Sequence, residues 1–394
     1  MRWFVVVLAG AATLFAQQGT PLAPEVLQLA KIRQRMLANL ARQPNYTCVE
    51  TVERSHRPAP TRKFQMVDTI RLEVALVEGK EMFGWPGAKK FEETDLRNLV
   101  STGAIGNGNF ANHARAIFGG SNATFDFRGS DAFGIRYDFR VPLMLSGYKL
   151  RTQKGDAIVG YHGSIWADPD SLDVRRLEVF ADDIPAQLGL ATAADRMDYA
   201  RLKIGDGDFL LPAFSELSMV DLNGSENRNQ VRFTSCRQFS GESVLTFGDA
   251  PPPDVPPAPV AESDLPPDLS LRLTLLDDVE LGKSAVGDPV RARLENDLRH
   301  KGKLLFARGA TVSGRITQME RHDDYTDVGL EFSEIESPGS RAHLKVRLQD
   351  VIGLDPFALH PRGLKTSPDS GERLIPLSPT HPRLSHGILM FWRT

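Results

Sequence analysis

The stretch Pro24–Arg54, PEVLQLAKIRQRMLANLARQPNYTCVETVER, decides how the front of this chain folds. Pro24 suits the first turn of a helix, because its missing N–H would have no partner there. Leu29, Ile32, Met36 and Leu40 then recur at helical spacing until Pro44 ends the pattern. After Pro44 the period changes from about four to two. The residues from Cys48 to Arg54 alternate, and so do Thr69–Val77 (TIRLEVALV), where Ile70, Leu72, Val74 and Leu76 share one face and Arg71 and Glu73 the other. One amphipathic helix followed by strands predicts a sheet with an apolar face laid on that helix.

Working outward, Glu78-Gly79-Lys80 reads as a tight hairpin turn into Glu81–Trp85. Short helices are expected at Thr94–Val100 and Asn109–Phe118. Strands are expected at Ala123–Arg128, Gly134–Val141, Gly147–Gln153, Ile158–Ala167, Val174–Ala181, Leu211–Val220 and Val231–Phe239. The class is therefore α+β, with a large curved antiparallel half-barrel wrapped on a helix over residues 24–247. Residues 250–267 hold eight of the 26 prolines, so 248–268 reads as a Pro-rich linker in extended geometry. Residues 269–354, with GDPVRARL and KGKLLFARGATVSGRI alternating between glycine turns, predict a small all-β barrel. The region 355–394 reads as a mobile tail, with a final strand over 387–392 that returns to the barrel.

At the other end, Met1-Arg2 precedes the uncharged run Trp3–Phe15, and Ala16 offers a cleavage point. Residues 1–16 thus read as a signal peptide, too short to span a bilayer. The expectation is an exported protein, periplasmic or secreted, and not an integral membrane protein after signal cleavage. In that oxidising setting Cys48 and Cys236, the two cysteines of the chain, are expected to form a structural disulfide, with two buried free thiols as the alternative.

Composition removes several classes. The 394 residues are 41% hydrophobic and 25% charged, which fits globular units. With 47 Lys+Arg against 50 Asp+Glu the net charge is −3, so no positive field invites nucleic acid. Two cysteines and nine scattered histidines without HExxH provide no zinc signature, and no metal or cofactor is expected. Asp168, Asp170 and Asp173 lack the glycine and distal Glu of a calcium loop and read as a turn, as do Asp323, Asp324 and Asp327. Ser164 follows His162-Gly163 but has no GxSxG context. Gly103–Gly108 lacks the strand and the Lys-Ser/Thr of a phosphate loop.

An inner face that binds lipid must remove apolar area from water. Phe83, Trp85, Phe125, Phe127, Tyr137, Phe139, Trp166, Phe209 and Phe214 are the residues expected to line such a cavity, with packing around the helix as the plain alternative.

The order of elements resembles the LolA/LolB and RseB-like half-barrel envelope proteins. The resemblance lies in the helix that runs into PNYTCVETVER, the strands of EVALVEGKEMFGWPG, and the Asp-Pro hairpin of HGSIWADPDSLDVRRLEVFADD. The phrases NYTCVETVERS, RYDFRVPL and LPAFSELSMVD also look like an uncharacterised exported acidobacterial protein family. Gly302–Ile316 is similar to VirB10/TrbI-like β-barrel domains. What these resemblances imply is a non-enzymatic cell-envelope protein that binds an apolar ligand, a lipid or lipoprotein acyl chain, or a partner peptide. Lipid, lipidated protein and other envelope proteins are the implied partners. The alternatives are a structural or signalling interaction module with a filled core and, last, a secreted hydrolase.

Overall fold

The computed structural model describes residues 22–78, 80–88, 91–93, 96, 105, 112–239, 262–353, 363–367, 371–378, 380 and 383–394. The signal peptide, the helix expected at 94–100, apart from Leu96, and most of the Pro-rich linker lie outside the described residues.

Helix α1, Pro24–Arg42, begins at its proline and ends before Pro44. The strands that follow are β1 Tyr46–Arg57, β2 Gln65–Val77 and β3 Lys80–Gly84. A second helix, α2 Asn112–Gly119, precedes β4 Thr124–Asp131 and β5 Gly134–Val141. Next come a hairpin of β6 Lys149–Thr152 and β7 Gly155–Ile158, then β8 Gly160–Ala167 and β9 Val174–Asp182. The sheet is completed by β10 Leu190–Ile204, β11 Gly207–Asp221 and β12 Glu226–Gln238. Its ten strands run in the order β3-β2-β1-β12-β11-β10-β9-β8-β5-β4, with antiparallel neighbours throughout. The first and twelfth strands are therefore neighbours in the middle of the layer, and Cys48 of β1 is disulfide-bonded to Cys236 of β12.

Register fixes the two faces. Tyr137 lies opposite Ile165, Ile165 opposite Leu177, and Leu177 opposite Met197, so these four share one face. The helices cover that face: Ile32 and Met36 of α1 and Ala114, Ile117 and Phe118 of α2 are buried with them in one core. Asn39 anchors α1 deeper in. Its Nδ2 donates to the Leu210 carbonyl and its Oδ1 accepts from the Leu210 N–H, both at 2.8 Å, so each polar atom of a buried amide has a partner on the backbone of β11. At the other end of the helix the Tyr137 hydroxyl donates to the Glu25 carbonyl at 2.7 Å.

Strand β10 is absent from the sequence reading, which assigns nothing between Ala181 and Leu211. Its LATAADRMDYARLKI is rich in Ala, Asp and Arg, residues that carry little intrinsic preference for strands. Burial supplies what propensity lacks, because Ala193, Asp195 and Met197 alternate into the interior. The expected strand at Ile158–Ala167 is two strands, β7 and β8, with Val159 between them.

The second unit is a second antiparallel-dominated sheet of ten strands, whose main path is open among the described residues. One expectation changes here and one, the final strand over 387–392, holds. The region from 355 onward is not a mobile tail where it is described: Arg373–Leu377 pairs with Thr326–Ser337, and Ile375 and Leu377 are buried in the core. Leu389–Arg393 is a central strand between Ser270–Leu275 and Arg347–Ile352.

Nor are the two units independent. β3 pairs only with Glu73–Val77, which leaves the Thr69–Arg71 edge of β2 without a strand neighbour. The second unit takes it: the Arg71 N–H donates to the Val286 carbonyl and the Val286 N–H to the Thr69 carbonyl, both at 2.8 Å. Arg71 Nη1 contacts both carboxylate oxygens of Asp288 at 2.5 Å. The Arg315 guanidinium lies 4.5 Å from the Trp85 ring centroid. One apolar cluster joins Ile70 and Leu72 to Val286, Val290 and Ile316. Gly287 makes the approach feasible. It sits at φ +96°, and a Cβ there would press on the Arg71 carbonyl and the Trp85 ring. Gly309 has nearly the same φ, +95°, with open space around it. Gly287→Ala is thus expected to lower unfolding free energy by about 2–4 kcal/mol, and Gly309→Ala by about 1 kcal/mol. Urea unfolding of the two variants checks this; equal losses would mean that the contact between the units carries no stability.

Candidate functional site

With α1 and α2 in place, the inner face is largely filled, and the nine aromatic residues expected to line a cavity are distributed over three settings. Tyr137 and Phe139 are buried beneath the helices, with Phe127 and Phe125 beside them across the β4–β5 register at ring-centroid distances of 5.3 and 6.1 Å. Gly163 lies opposite Phe139, and a Cβ there would come within 2.8 Å of the ring tip, so the glycine leaves room for this aromatic to lie flat. Trp166 and Phe214 face the other way. Trp166 shares its register with Arg136 and Arg176, and Phe214 with Asp198 and Arg232. There Trp166 donates its indole N–H to Asp131 at 2.8 Å under the Arg136 guanidinium. Phe214 has the Arg196 and Arg232 guanidiniums 5.2 and 5.5 Å from its centroid. Phe83 and Phe209 pack with the cluster that joins the units, and Trp85 packs at the junction itself.

Among the described residues a hollow of about 450 Å³ opens at the end of the inner face. It lies where α1 runs out, between the last turn of α1, the second helix, and the strand ends at Asn45 and Leu76. Leu37, Leu40, Ala41, Pro44 and Leu76 supply its apolar walls. None of the nine expected aromatics lines it. The signal that identifies these wall residues is Leu37 with Ala41, a pair of apolar positions off the Leu29–Ile32–Met36–Leu40 stripe that buries the helix. Leu37 is exposed as a result.

Polar groups at the rim are Gln43, Asn45, Glu78 and Arg115. Asn45 Oδ1 accepts the Glu78 N–H at 3.0 Å, which fixes a turn in which Glu78 adopts φ +51°. Gln43 Nε2 reaches toward the Leu210 carbonyl at 3.5 Å. Arg115 projects from α2 between Ala114 and the buried pair Ile117 and Phe118. Its charge is near enough to the Tyr46 phenol to favour the phenolate, although burial dominates and holds that hydroxyl protonated.

Deeper on the same face of β1 lies Glu50, opposite Leu72 and Phe233. Burial, with a smaller contribution from the Glu81 charge, pushes its carboxyl up to about 8. A second polar group crosses from α2 to the sheet. His113 Nε2 lies 3.3 Å from Asp195, and the Tyr148 ring packs edge-on against His113 at 5.2 Å. Burial, then the Asp195 charge, holds the Tyr148 hydroxyl protonated. Asp195 Oδ1 and Ser215 Oγ are buried without a hydrogen-bond partner.

The remaining chemical candidates are accounted for by structural contacts. Ser164 Oγ donates to Asp138 at 2.7 Å, while His162 lies 2.7 Å from Asp182 and stacks on Phe180. Asp168 accepts the Asp170 and Ser171 N–H groups in a turn, and Asp173 pairs with Arg35 and Arg201. Asp327 pairs with His322 at 3.1 Å. Among the described residues no three His, Cys, Asp or Glu side chains gather as metal ligands. Among them, too, no helix is long and apolar enough to cross a membrane.

No family model and no curated protein matches the chain. A solved structure, that of the LolA superfamily protein NE2245 from Nitrosomonas europaea, is similar at 8% identity and a TM-score of 0.24, over 53% of this chain and 94% of that one. A superposition at that level fixes neither fold nor ligand.

Glu50 generates a test of the inner face. The folded protein keeps the neutral acid where the unfolded chain has ionised, so unfolding releases a proton between the ordinary carboxyl range and about pH 8. Stability contributed by this group is lost as pH rises through that window. Glu50→Gln is expected to exceed the parent by about 2–4 kcal/mol at pH 8 and to converge with it near pH 4.5 in urea unfolding. A constant difference between the two would contradict a buried neutral acid.

Proposed function

We propose that this is an exported, non-enzymatic cell-envelope protein whose first unit binds an apolar ligand in the hollow beside the end of α1. The observation that carries the reading is the apolar wall of Leu37, Leu40, Ala41, Pro44 and Leu76 at the end of α1, beside the part of the inner face that α1 and α2 bury. Affinity in such a site comes from apolar area removed from water, and 450 Å³ falls toward the small end of ligand sites. It suits one chain: a lipid tail or the acyl group of a lipidated protein.

A second reading is supported by the filled face itself. Tyr137, Phe139, Ile165 and Leu177 already satisfy one another and the helices, as in an interaction module that docks other envelope proteins and carries no ligand. The two readings separate in one experiment. Protein made in an exporting host is extracted with organic solvent, the extract is analysed by mass spectrometry, and the delipidated protein is titrated with a fluorescent fatty-acyl probe. Leu37→Glu places a charge on the wall at an exposed position, so the fold should be retained. The expected result is copurified lipid, saturable probe binding in the parent, and at least about a tenfold loss of probe affinity in Leu37→Glu with thermal unfolding unchanged. Absence of both lipid and probe binding would favour the filled module.

A further inference from the structure

We propose that the 3₁₀ turn Leu143–Leu145, which follows β5, docks the protein on an anionic lipid bilayer by inserting its apolar side chains into the headgroup boundary. Leu143, Met144 and Leu145 are 45, 90 and 51% exposed, and Ile158, at the end of the adjoining β6–β7 hairpin, is 52% exposed. Among the described residues no other run of three large apolar side chains faces solvent. Single exposed leucines are ordinary on a protein surface, whereas a contiguous apolar tip marks a contact with something less polar than water.

The tip is held outward by the fold. The Leu145 N–H donates to the Pro142 carbonyl at 2.9 Å and the Ser146 N–H to the Leu143 carbonyl at 3.2 Å. Asn122 Nδ2 donates to the Leu145 carbonyl at 3.1 Å. Ser146 Oγ donates to the Val159 carbonyl at 2.6 Å and accepts the Tyr148 N–H at 3.0 Å, which ties the turn to the base of the hairpin. Three carbonyls of the turn are thus satisfied from within the protein, the condition for taking a segment out of water without stranding its polar groups. Charge points to the same partner. Residues 140–160 hold four basic side chains, Arg140, Lys149, Arg151 and Lys154, and one acidic one, Asp156, in a chain whose net charge is −3. Asp156 pairs with Lys149, and Asp182 of β9 lies 3.7 Å from Arg140, which leaves the surroundings of the tip positive on balance. Apolar side chains ringed by basic ones favour a bilayer with anionic headgroups. The docking does not depend on the hollow, although the two meet near the end of α2: Asn122, which holds Leu145, lies three residues beyond Gly119 of the hollow's lining.

The test is flotation of the full chain with vesicles of phosphatidylcholine alone and of phosphatidylcholine mixed with phosphatidylglycerol. The parent should bind the mixed vesicles at least about tenfold more tightly than the neutral ones. Met144→Glu, at a position too exposed to disturb the fold, should weaken that binding at least about tenfold with thermal unfolding unchanged. Ile352→Glu, the same kind of change at an exposed position of the second unit, should float like the parent. Lys154→Gln should weaken binding to the mixed vesicles alone. Met144→Trp should show an emission shift to shorter wavelength on those vesicles, relative to the parent, as its indole leaves water. Leu37→Glu, on the wall of the hollow, should float like the parent, so that loss of docking and loss of ligand binding read separately. A folded parent that floats with neither vesicle, or Met144→Glu that floats as well as the parent, would overturn the proposal. Flotation without the tryptophan shift would reduce it to charge adsorption and overturn insertion. A parent that ignores vesicles but forms a dimer abolished by Met144→Glu in sedimentation would make the turn a protein contact instead.

Discussion

The first unit depends on one side chain that reads backbone. Asn39 both donates to and accepts from Leu210, so α1 is fixed against the sheet in register as well as in depth. An amide buried with either bond missing would cost about 1–3 kcal/mol, which makes sliding of the helix along the sheet unfavourable. With α1 held there, Ile32 and Met36 share one core with Leu177 and Met197, and the helix stops where Pro44 leads the chain into β1. The hollow is the space that this fixed end leaves uncovered. Its position is a consequence of packing rather than of any residue dedicated to making a cavity.

The two faces of the first sheet follow different chemistry. On the inner face Arg54 is tied to Asp68 at 2.7 Å and Glu50 is kept uncharged by burial, while Asp195 Oδ1 and Ser215 Oγ are buried without a hydrogen-bond partner. The outer face is a field of arginines, carboxylates and aromatics in transverse rows, where Trp166 and Phe214 lie under guanidinium planes. Each such contact contributes about 0.5–1 kcal/mol at an exposed site and shields an aromatic that would otherwise meet solvent.

Much of this was legible in the residues. Pro24, the Leu29–Ile32–Met36–Leu40 spacing and Pro44 delimit α1, and alternation in Thr69–Val77 identifies the strand that meets it. The Cys48–Cys236 pairing follows from two cysteines in strand-like surroundings. Other features were hidden for physical reasons. Alternation says that two aromatics share a face but not which face is covered, so it does not separate Trp166 and Phe214, which lie among arginines on the outer face, from Tyr137 on the inner one. β10 has a composition that burial, not propensity, turns into a strand. Leu37 and Arg115 are brought to one hollow by elements separated by the whole span from α1 to α2, a distance that local periodicity does not record. The Pro-rich stretch suggested separable units, whereas the contact of Gly287 with β2 depends on a conformation and a close approach that no local pattern announces.

The way residues 285–287 lie along β2 bears on how the protein avoids self-association. Without the rear unit, the N–H and C=O groups of Thr69–Arg71 beside Ile70 would lose the partners that Val286 supplies. An unprotected strand border of that kind templates pairing with other molecules, and aggregation follows from it. The rear unit thus caps a strand border of its neighbour that would otherwise be open to such pairing.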